Sequence, residues 1–331
     1  MNKIKRSIAV LAAAVMTAAF AGTRAFAADD EFLYSNEDSR YKYIVEKVAA
    51  DDYDAIVAVS QYSKKGFSGV LSIPSTIDEL TVGGIYDSGF SGSEITNLTI
   101  PESVTKIGSL AFSNCLTLVD ASIPSGITSM GTTVFSQTPY ETALIKNSES
   151  TGFAVINDYI LYLYTGSASE ITVPEGISVI AGSAFANNGV NSKNKIKSVK
   201  MPTSTEYICS NAFDNCTGLQ KVVMGKNIKN IEPNVFSKTF RGIIYGYEGT
   251  AAADYAKANG LKFVEFIDNG NIIGDANTDD YVNVMDAALI ANYLANGKRA
   301  LLPQQSDFNK DNQINVMDAA SIAKFLATGK R

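Results

Sequence analysis

The stretch Ile100-Pro-Glu-Ser-Val-Thr-Lys-Ile-Gly-Ser-Leu-Ala-Phe112 decides the fold, because its wording returns along the chain. Further copies run from Ile123-Pro124 to Phe135, Val173-Pro174 to Phe185 and Met201-Pro202 to Phe213, and Met224-Gly225 to Phe236 carries glycine in the proline place. In all five copies the proline position precedes the phenylalanine by eleven residues. Ile73-Pro74 to Phe90 is a looser first copy with five extra residues. Pro101 and Pro124 lie 23 apart, as do Pro202 and Gly225, and the 50 residues from Pro124 to Pro174 hold two units' worth of chain. A period of this length means that each unit is one supersecondary element, unable to bury its apolar face alone and forced to stack on its neighbours. In one unit, Leu98 and Ile100 alternate as a short strand ending at Pro101, where a residue with no N–H to donate is tolerated. Val104, Ile107, Ala111, Phe112 and Leu118 then supply the inward layer, and the recurring phenylalanines read as core.

Phrases such as Ile100-Pro-Glu-Ser-Val-Thr-Lys-Ile-Gly108 and Ala111-Phe-Ser-Asn-Cys115 resemble the BspA-like leucine-rich repeats of bacterial cell-surface proteins, over about residues 40 to 266. The resemblance implies an α+β leucine-rich-repeat solenoid of short strands stacked in a curved sheet. Its flanks read as caps: Tyr41 to Val48 and Ala55 to Ser60 as an opening hairpin, and Thr250 to Phe266 as a terminal helix plus strand. Inside the long gap, Phe153 to Tyr164 reads as a hairpin turning at Asn157-Asp158, an Asx-rich turn signal. That insertion breaks the period and is the place where the solenoid departs from regularity, as a functional feature or as a structural filler.

Composition narrows the chemistry. The chain opens Met-Asn-Lys-Ile-Lys-Arg, continues with an uncharged apolar run from Ser7 to Thr23 and leaves through Ala25-Phe26-Ala27, which reads as a secretory signal peptide over residues 1–27, a retained anchor being the alternative. The run from Ile8 to Phe20 is short of the roughly 20 apolar residues a membrane span needs, and no later segment is a candidate. Without residues 1–27 the formal charge falls from −6 to −10, with 24 basic against 34 acidic residues, which argues against nucleic acid as a partner. Histidine is absent, removing the commonest general base and zinc ligand, and with tryptophan also absent a sugar-stacking platform would rest on the sixteen tyrosines. Cys115, Cys209 and Cys216 are too few and odd in number for a disulfide scaffold. They read as buried thiols, with a Cys209 to Cys216 bridge left open.

From Gly274 the repeat wording stops and a different duplication begins. Residues 274–299 match residues 306–331 at sixteen of 26 positions. Oxygen donors fall at positions 1, 3, 5, 9 and 12 of an EF-hand-type loop: Asp275, Asn277, Asp279, Asn283 and Asp286, then Asp307, Asn309, Asp311, Asn315 and Asp318. Tyr281 and Gln313 offer main-chain carbonyls at position 7. Alternate residues of a tightly curled loop converge on one point, and an oxygen-only donor set with this spacing suits Ca²⁺, one ion per loop. Two departures stand out. Asp280 and Asn312 occupy position 6, where glycine usually makes the sharp turn, so both are expected in the left-handed conformation. Position 12 carries Asp rather than Glu, so each loop must close tighter. Helices are expected after both loops, with packed faces Ala287, Ile290, Ala291, Leu294 and Ala319, Ile322, Ala323, Leu326, ended by Gly297 and Gly329. No incoming helix precedes either loop.

Loop then helix, twice, resembles type I dockerins, with Gly274-Asp-Ala-Asn-Thr-Asp and Val282-Asn-Val-Met-Asp-Ala-Ala carrying the likeness over about residues 272 to 331. The resemblance implies calcium-dependent binding to a cohesin domain of a scaffoldin, hence a cellulosome-associated or cell-surface-associated, secreted protein. Carried onto this chain, the cohesin contacts are Val284 and Met285 with Ala291 and Asn292, or by pseudo-twofold symmetry Val316 and Met317 with Ala323 and Lys324. Both pairs are Val-Met where many dockerins carry hydroxyls, which suggests an apolar anchor; core packing is the competing role.

The expected organisation is therefore a signal peptide (1–27), a repeat domain with caps (28–266), a linker (267–273) and a small all-α dockerin (274–331) with two EF-hand-like loop-helix motifs. The expected function is non-catalytic, with the dockerin fixing the chain to a scaffold and the repeats binding a protein or cell-surface ligand. One alternative is a glycoside hydrolase using two carboxylates among Asp51, Asp52, Asp54, Asp87, Glu102 and Glu175. Another is a carbohydrate binder using exposed Tyr159, Tyr162 and Tyr164.

Overall fold

The structure, a computed structural model, describes residues 33–34, 41–49, 52–59, 67–186, 196–267 and 271–330. The expected signal peptide and Asp51 lie outside the described residues.

Each repeat makes one coil with two short strands, and the coils stack in parallel into two ladders. In the first half one ladder runs from Asp52–Val59 through Leu80–Ile85 and Lys106–Ile107 to Ser129–Met130, and the other joins Ser68–Ser72, Glu94–Thr99 and Asp120–Ser122. The register copies the sequence period: Lys106 pairs with Ser129, and Ser198 with Lys221, both 23 residues on. Where five extra residues intervene the ladder still closes, Val179 pairing with Tyr207. The repeat prolines sit just past the rungs, and Ile73, Ile100, Val173 and Met201 before them still donate to the next coil, as Ile100 does to the Ser122 carbonyl (3.1 Å) and Met201 to Val223 (2.9 Å). An N–H is needed up to that residue and not beyond it, so proline fits there.

Phenylalanines form the spine. Phe90, Phe112 and Phe135 stack at 5.4 and 5.7 Å, and Phe185, Phe213 and Phe236 at 4.9 and 5.1 Å. Val104, Ile107, Ala111, Phe112 and Leu118 are all buried, as expected. A feature absent from the reading of the sequence holds each ring in place: the residue two before the phenylalanine is left-handed every time, at Ser88, Leu110, Thr133, Ser183, Asn211 and Asn234. The chain thereby turns sharply at each corner, and the N–H groups of Phe90, Phe112, Phe185 and Phe213 reach main-chain carbonyls of the next coil, as Phe112 does to Val134 (2.9 Å), while Phe135 N donates to the Tyr162 hydroxyl (3.2 Å). Leucine and threonine are unusual in that region of backbone space, so the stacked ladder must outweigh the local strain.

Both caps form: an antiparallel hairpin of Tyr41–Ala49 and Asp52–Val59 at one end, and helix Ala251–Ala258 followed by strand Lys262–Glu265 at the other. The insertion is a hairpin of Phe153–Ile156 and Ile160–Tyr164, with Asn157 and Asp158 both left-handed at the turn. Its second strand pairs in parallel with Val179–Ile180 and is buried throughout, so the insertion fills a rung of the solenoid. Tyr162 and Tyr164 continue the aromatic spine, each 6.0 Å from Phe135 and Phe185 respectively. The reading of Tyr159, Tyr162 and Tyr164 as an exposed sugar platform is therefore overturned: Tyr162 and Tyr164 are buried, and the half-buried Tyr159 donates its hydroxyl to the Pro124 carbonyl at 2.8 Å. Before the hairpin stands a helix the sequence reading did not name, α1 (Pro139–Asn147), capped by Thr138 whose hydroxyl accepts from Glu141 N at 3.0 Å.

The thiols are free. Cys115 and Cys216 take equivalent places, three residues after a spine phenylalanine, and donate to the carbonyls of Phe90 (3.2 Å) and Phe185 (3.0 Å) in the preceding coil. Glu102 and Glu175 likewise link coils, accepting from Ser125 and Thr203, and Asp87 accepts from Ser109 N at 2.6 Å. Three of the carboxylates weighed for glycosidase chemistry thus have structural partners.

Residues 271–330 form two loop-helix units packed on each other, with α3 (Val284–Ala295) and α4 (Val316–Thr328) following the helix α2 (Ala251–Ala258) of the cap. Ile272 and Ile273, inside the expected linker, are buried with Phe308, Ile290 and Ile322 in one core that also takes in Ile243, Tyr245 and Val264 of the solenoid.

Candidate metal loops and docking faces

The two loops are built alike. Asp275 accepts from the N–H groups of Asp279 (3.1 Å) and Asp280 (2.9 Å), and Asp307 accepts from those of Asp311 (3.1 Å) and Asn312 (2.8 Å). Asp279 in turn accepts from Tyr281 N, and Asp311 from Gln313 N. Each carboxylate thus bends its own loop around itself. The expected left-handed residues are found at Asp280 (φ 65°) and Asn312 (φ 64°), joined by Thr278 (φ 61°) and Lys310 (φ 62°) at position 4. Nothing in threonine or lysine announces that conformation, so position 4 was not legible from the sequence.

The ninth and twelfth donors close the loop on a helix start. Asn283 caps α3 through Met285 N (2.7 Å), while Asp286 accepts from Asn283 N (2.8 Å), completing a capping box. The other oxygen of Asp286 reaches back to Ala276 N (2.9 Å) and Asn277 N (3.2 Å). Asn315 and Asp318 repeat the box at α4, with Asp318 also accepting from Asn309 N at 3.2 Å. Asp286 and Asp318 are fully buried. The loop's own N–H groups thus draw the short Asp at position 12 inward.

Burial raises the carboxyls of Asp275 and Asp286 above their usual range, only partly opposed by the N–H groups they accept from. An ionised carboxylate in that setting lacks compensation that a hard cation would supply, and Asn277, whose Nδ2 donates to Asp279 at 2.9 Å, keeps these two side chains together in the loop. Among the described residues no three His, Cys, Asp or Glu side chains converge as a metal cluster. The donor set here mixes Asp with Asn and main-chain oxygen, which is what Ca²⁺ accepts.

Beside these loops the apolar pairs face solvent. Val284 is 68% exposed, Met285 61%, Val316 63% and Met317 57%, which removes the core-packing role weighed for them. Ala291, Asn292, Ala323 and Lys324 are exposed too. Ala291 and Ala323 therefore drop out of the packed stripes, in which Ile290 and Ile322 are fully buried and Phe325 joins them. Gly297 and Gly329 end the helices in the left-handed conformation.

Family models match both halves: a BspA type leucine rich repeat region in six copies over residues 83–194 and 190–244, and a dockerin type I domain over residues 273–327. The chain carries BspA-type leucine-rich repeats and a type I dockerin. No curated protein matches it. Similar solved structures include a T. pallidum leucine-rich repeat protein (16% identity, 72% of this chain and 98% of that one, TM-score 0.28). A Bacteroides ovatus leucine-rich repeat protein (18%, 74% and 77%, 0.29) and a leucine-rich cell surface protein of Faecalibacterium prausnitzii (16%, 72% and 96%, 0.27) are also similar. The solenoid is established by its own parallel register rather than by these overlaps. Type I dockerins bind calcium and imply a cohesin partner, so the dockerin region is a calcium-binding docking module.

The first dockerin loop also meets the solenoid. Val282 N–H donates to the Tyr245 hydroxyl at 2.9 Å, Lys221 Nζ donates to the Asp280 carbonyl, and the same ammonium lies 4.3 Å from the Tyr281 ring. Burial pushes the Lys221 pKa down against the pull of Asp280, Asp275, Asp279 and Glu170.

Proposed function

We propose that this chain is a secreted, non-catalytic component of a cellulosome-type assembly, seated by its calcium-loaded dockerin on a cohesin of a scaffoldin while its repeats bind a protein or cell-surface ligand. Dockerin-mediated assembly and repeat-based binding are supported by the two families present. The observation that carries the finer reading is the pairing of two Asp/Asn loops with two solvent-facing Val-Met pairs at the starts of the helices those loops close.

Asp275, Asn277, Asp279, Tyr281, Asn283 and Asp286 hold one ion, and Asp307, Asn309, Asp311, Gln313, Asn315 and Asp318 the second, with Asn283 and Asn315 acting directly or through water. The ions supply charge compensation that fixes each loop and, through positions 9 and 12, the start of its helix. Val284, Met285, Ala291 and Asn292, or equivalently Val316, Met317, Ala323 and Lys324, then meet the cohesin. Residues 1–27 direct export, residues 28–266 form the repeat domain, 267–273 the junction and 274–331 the dockerin. Among the described residues no helix is long and apolar enough to cross a membrane.

Immobilised cohesins should retain the chain in calcium and release it in chelator; retention indifferent to chelator would defeat the assignment. Pull-down from cell-wall material and secreted proteins with a dockerin-blocked chain identifies what the repeats bind. Release of reducing sugar from a polysaccharide panel, lost on substitution of one carboxylate, would establish the hydrolase alternative instead.

A further inference from the structure

The two calcium loops share their side-chain oxygen donors and most of their internal hydrogen bonds, yet their surroundings differ. Asp280, Tyr281 and Val282, positions 6 to 8 of the first loop, are each met by the solenoid, through Lys221, through the Lys221 ammonium over the Tyr281 ring, and through Tyr245. Their counterparts Asn312 and Gln313 are exposed and Ile314 is half-buried. Tyr245 and Val282 are both buried, so the hydrogen bond between them is shielded from water on both sides. Tyr245 lies on strand Ile243–Gly246, a penultimate rung of the solenoid, and Lys221 on the rung before it. On the last rung, Lys262 donates to the Leu326 carbonyl near the end of α4, and Glu265 pairs with Lys310 of the second loop.

We propose that the last rungs of the solenoid are a receptor for the chain's own first calcium loop, so that ion uptake in that loop and the integrity of the solenoid's C-terminal end are thermodynamically linked. The inference rests on the calcium reading given above. Position 7 is the main-chain ligand, so an ion that fixes the Tyr281 carbonyl also fixes the peptide units on either side of it. One of those units presents the Val282 N–H to Tyr245. Detaching the loop exchanges that shielded hydrogen bond and the burial of Val282 and Tyr245 for contact with water, and an ion that favours the attached loop stabilises the attached state in proportion to its preference. By reciprocity the solenoid favours the ion. The buried main-chain contact at position 8 belongs to the first loop, whereas the second loop meets Glu265 through the Lys310 side chain, and the Val-Met pairs stay exposed on the docked dockerin, leaving cohesin access open.

Hydrogen exchange of the full chain, read by mass spectrometry in calcium and in chelator alongside a count of bound ions, tests this. Calcium should slow exchange in strand Ile243–Gly246 by about tenfold, the order set by one buried hydrogen bond, as well as in the loops themselves. Tyr245→Phe removes the acceptor without changing shape, and should abolish the slowing in that strand while both ions still bind. Lys221→Met serves as a second variant with the same expected loss. Two bound ions with wild-type protection confined to residues 275–318 would overturn the linkage and leave the calcium reading standing. Failure to bind calcium at all would overturn both.

Discussion

Truncating the Val-Met pairs tests how the dockerin grips its partner, and the exposures set the size of the effect. Burying a whole Val or Met side chain yields about 1.5–3 kcal/mol. With 57–68% of each still open to solvent, a cohesin that covers one pair gains about 1–2 kcal/mol per side chain, or about 2–4 kcal/mol per pair. If both symmetry-related faces bind equally, removing one by Val284→Ala with Met285→Ala only halves the number of binding modes. The dissociation constant should rise about twofold, since the remaining face carries the complex. Removing both pairs should raise it about 30- to 1,000-fold. Stability should not move, because none of the four side chains supports the core. Surface plasmon resonance against a cohesin in calcium, with thermal unfolding as the control, reads all three variants. Full-strength binding by the quadruple variant would refute the anchor, and complete loss on truncating one pair would refute the equivalence of the faces.

The spine and the thiols give further tests. Phe112→Ala, fully buried between two stacked rings, should cost about 3–5 kcal/mol in chemical denaturation, while Leu116→Ala, 69% exposed, should stay within about 0.5 kcal/mol. Burial pushes the Cys115 thiol to about 11 and Cys216 to about 12, and Cys209 higher still, so under native conditions at pH 8 a disulfide reagent should label none, and all three should react in denaturant. On the proposed ligand set calcium competes with protons for Asp275 and Asp286, whose carboxyls burial raises. In chelator their contribution to stability is present below the unfolded carboxyl pKa and is lost as pH rises through the raised folded value, so the calcium-induced gain in Tm should be larger at pH 7 than at pH 5. An equal gain at both would contradict that ordering.

Much of this molecule was legible because its information is periodic. An eleven-residue interval from proline to phenylalanine fixes which side chains share a layer, and a 32-residue duplication fixes which oxygens share a loop. The left-handed corners before each phenylalanine were not legible, since Leu110 and Thr133 are poor markers of that backbone state and are held there by the coils on either side. The tyrosines of the insertion misled for a related reason: an aromatic outside the repeat phrase carries no phase, and only the pairing of Ile160–Tyr164 with Val179–Ile180 places it inside. Helix α1 was legible and overlooked, for Thr138-Pro139 followed by Glu141 is an N-cap with proline at the first turn. The contact between dockerin and repeats lay beyond sequence altogether, because Tyr245, Lys221 and Val282 belong to different periodic systems and meet only in three dimensions.

On the proposed function, two calcium ions hold the C-terminal module in its docking shape. Calcium titration calorimetry on the full chain tests it most directly. Two ions per molecule are expected, with uptake by both loops abolished when Asp286 and Asp318 are changed to Ala together; a chain that takes up no calcium would refute a calcium-shaped dockerin.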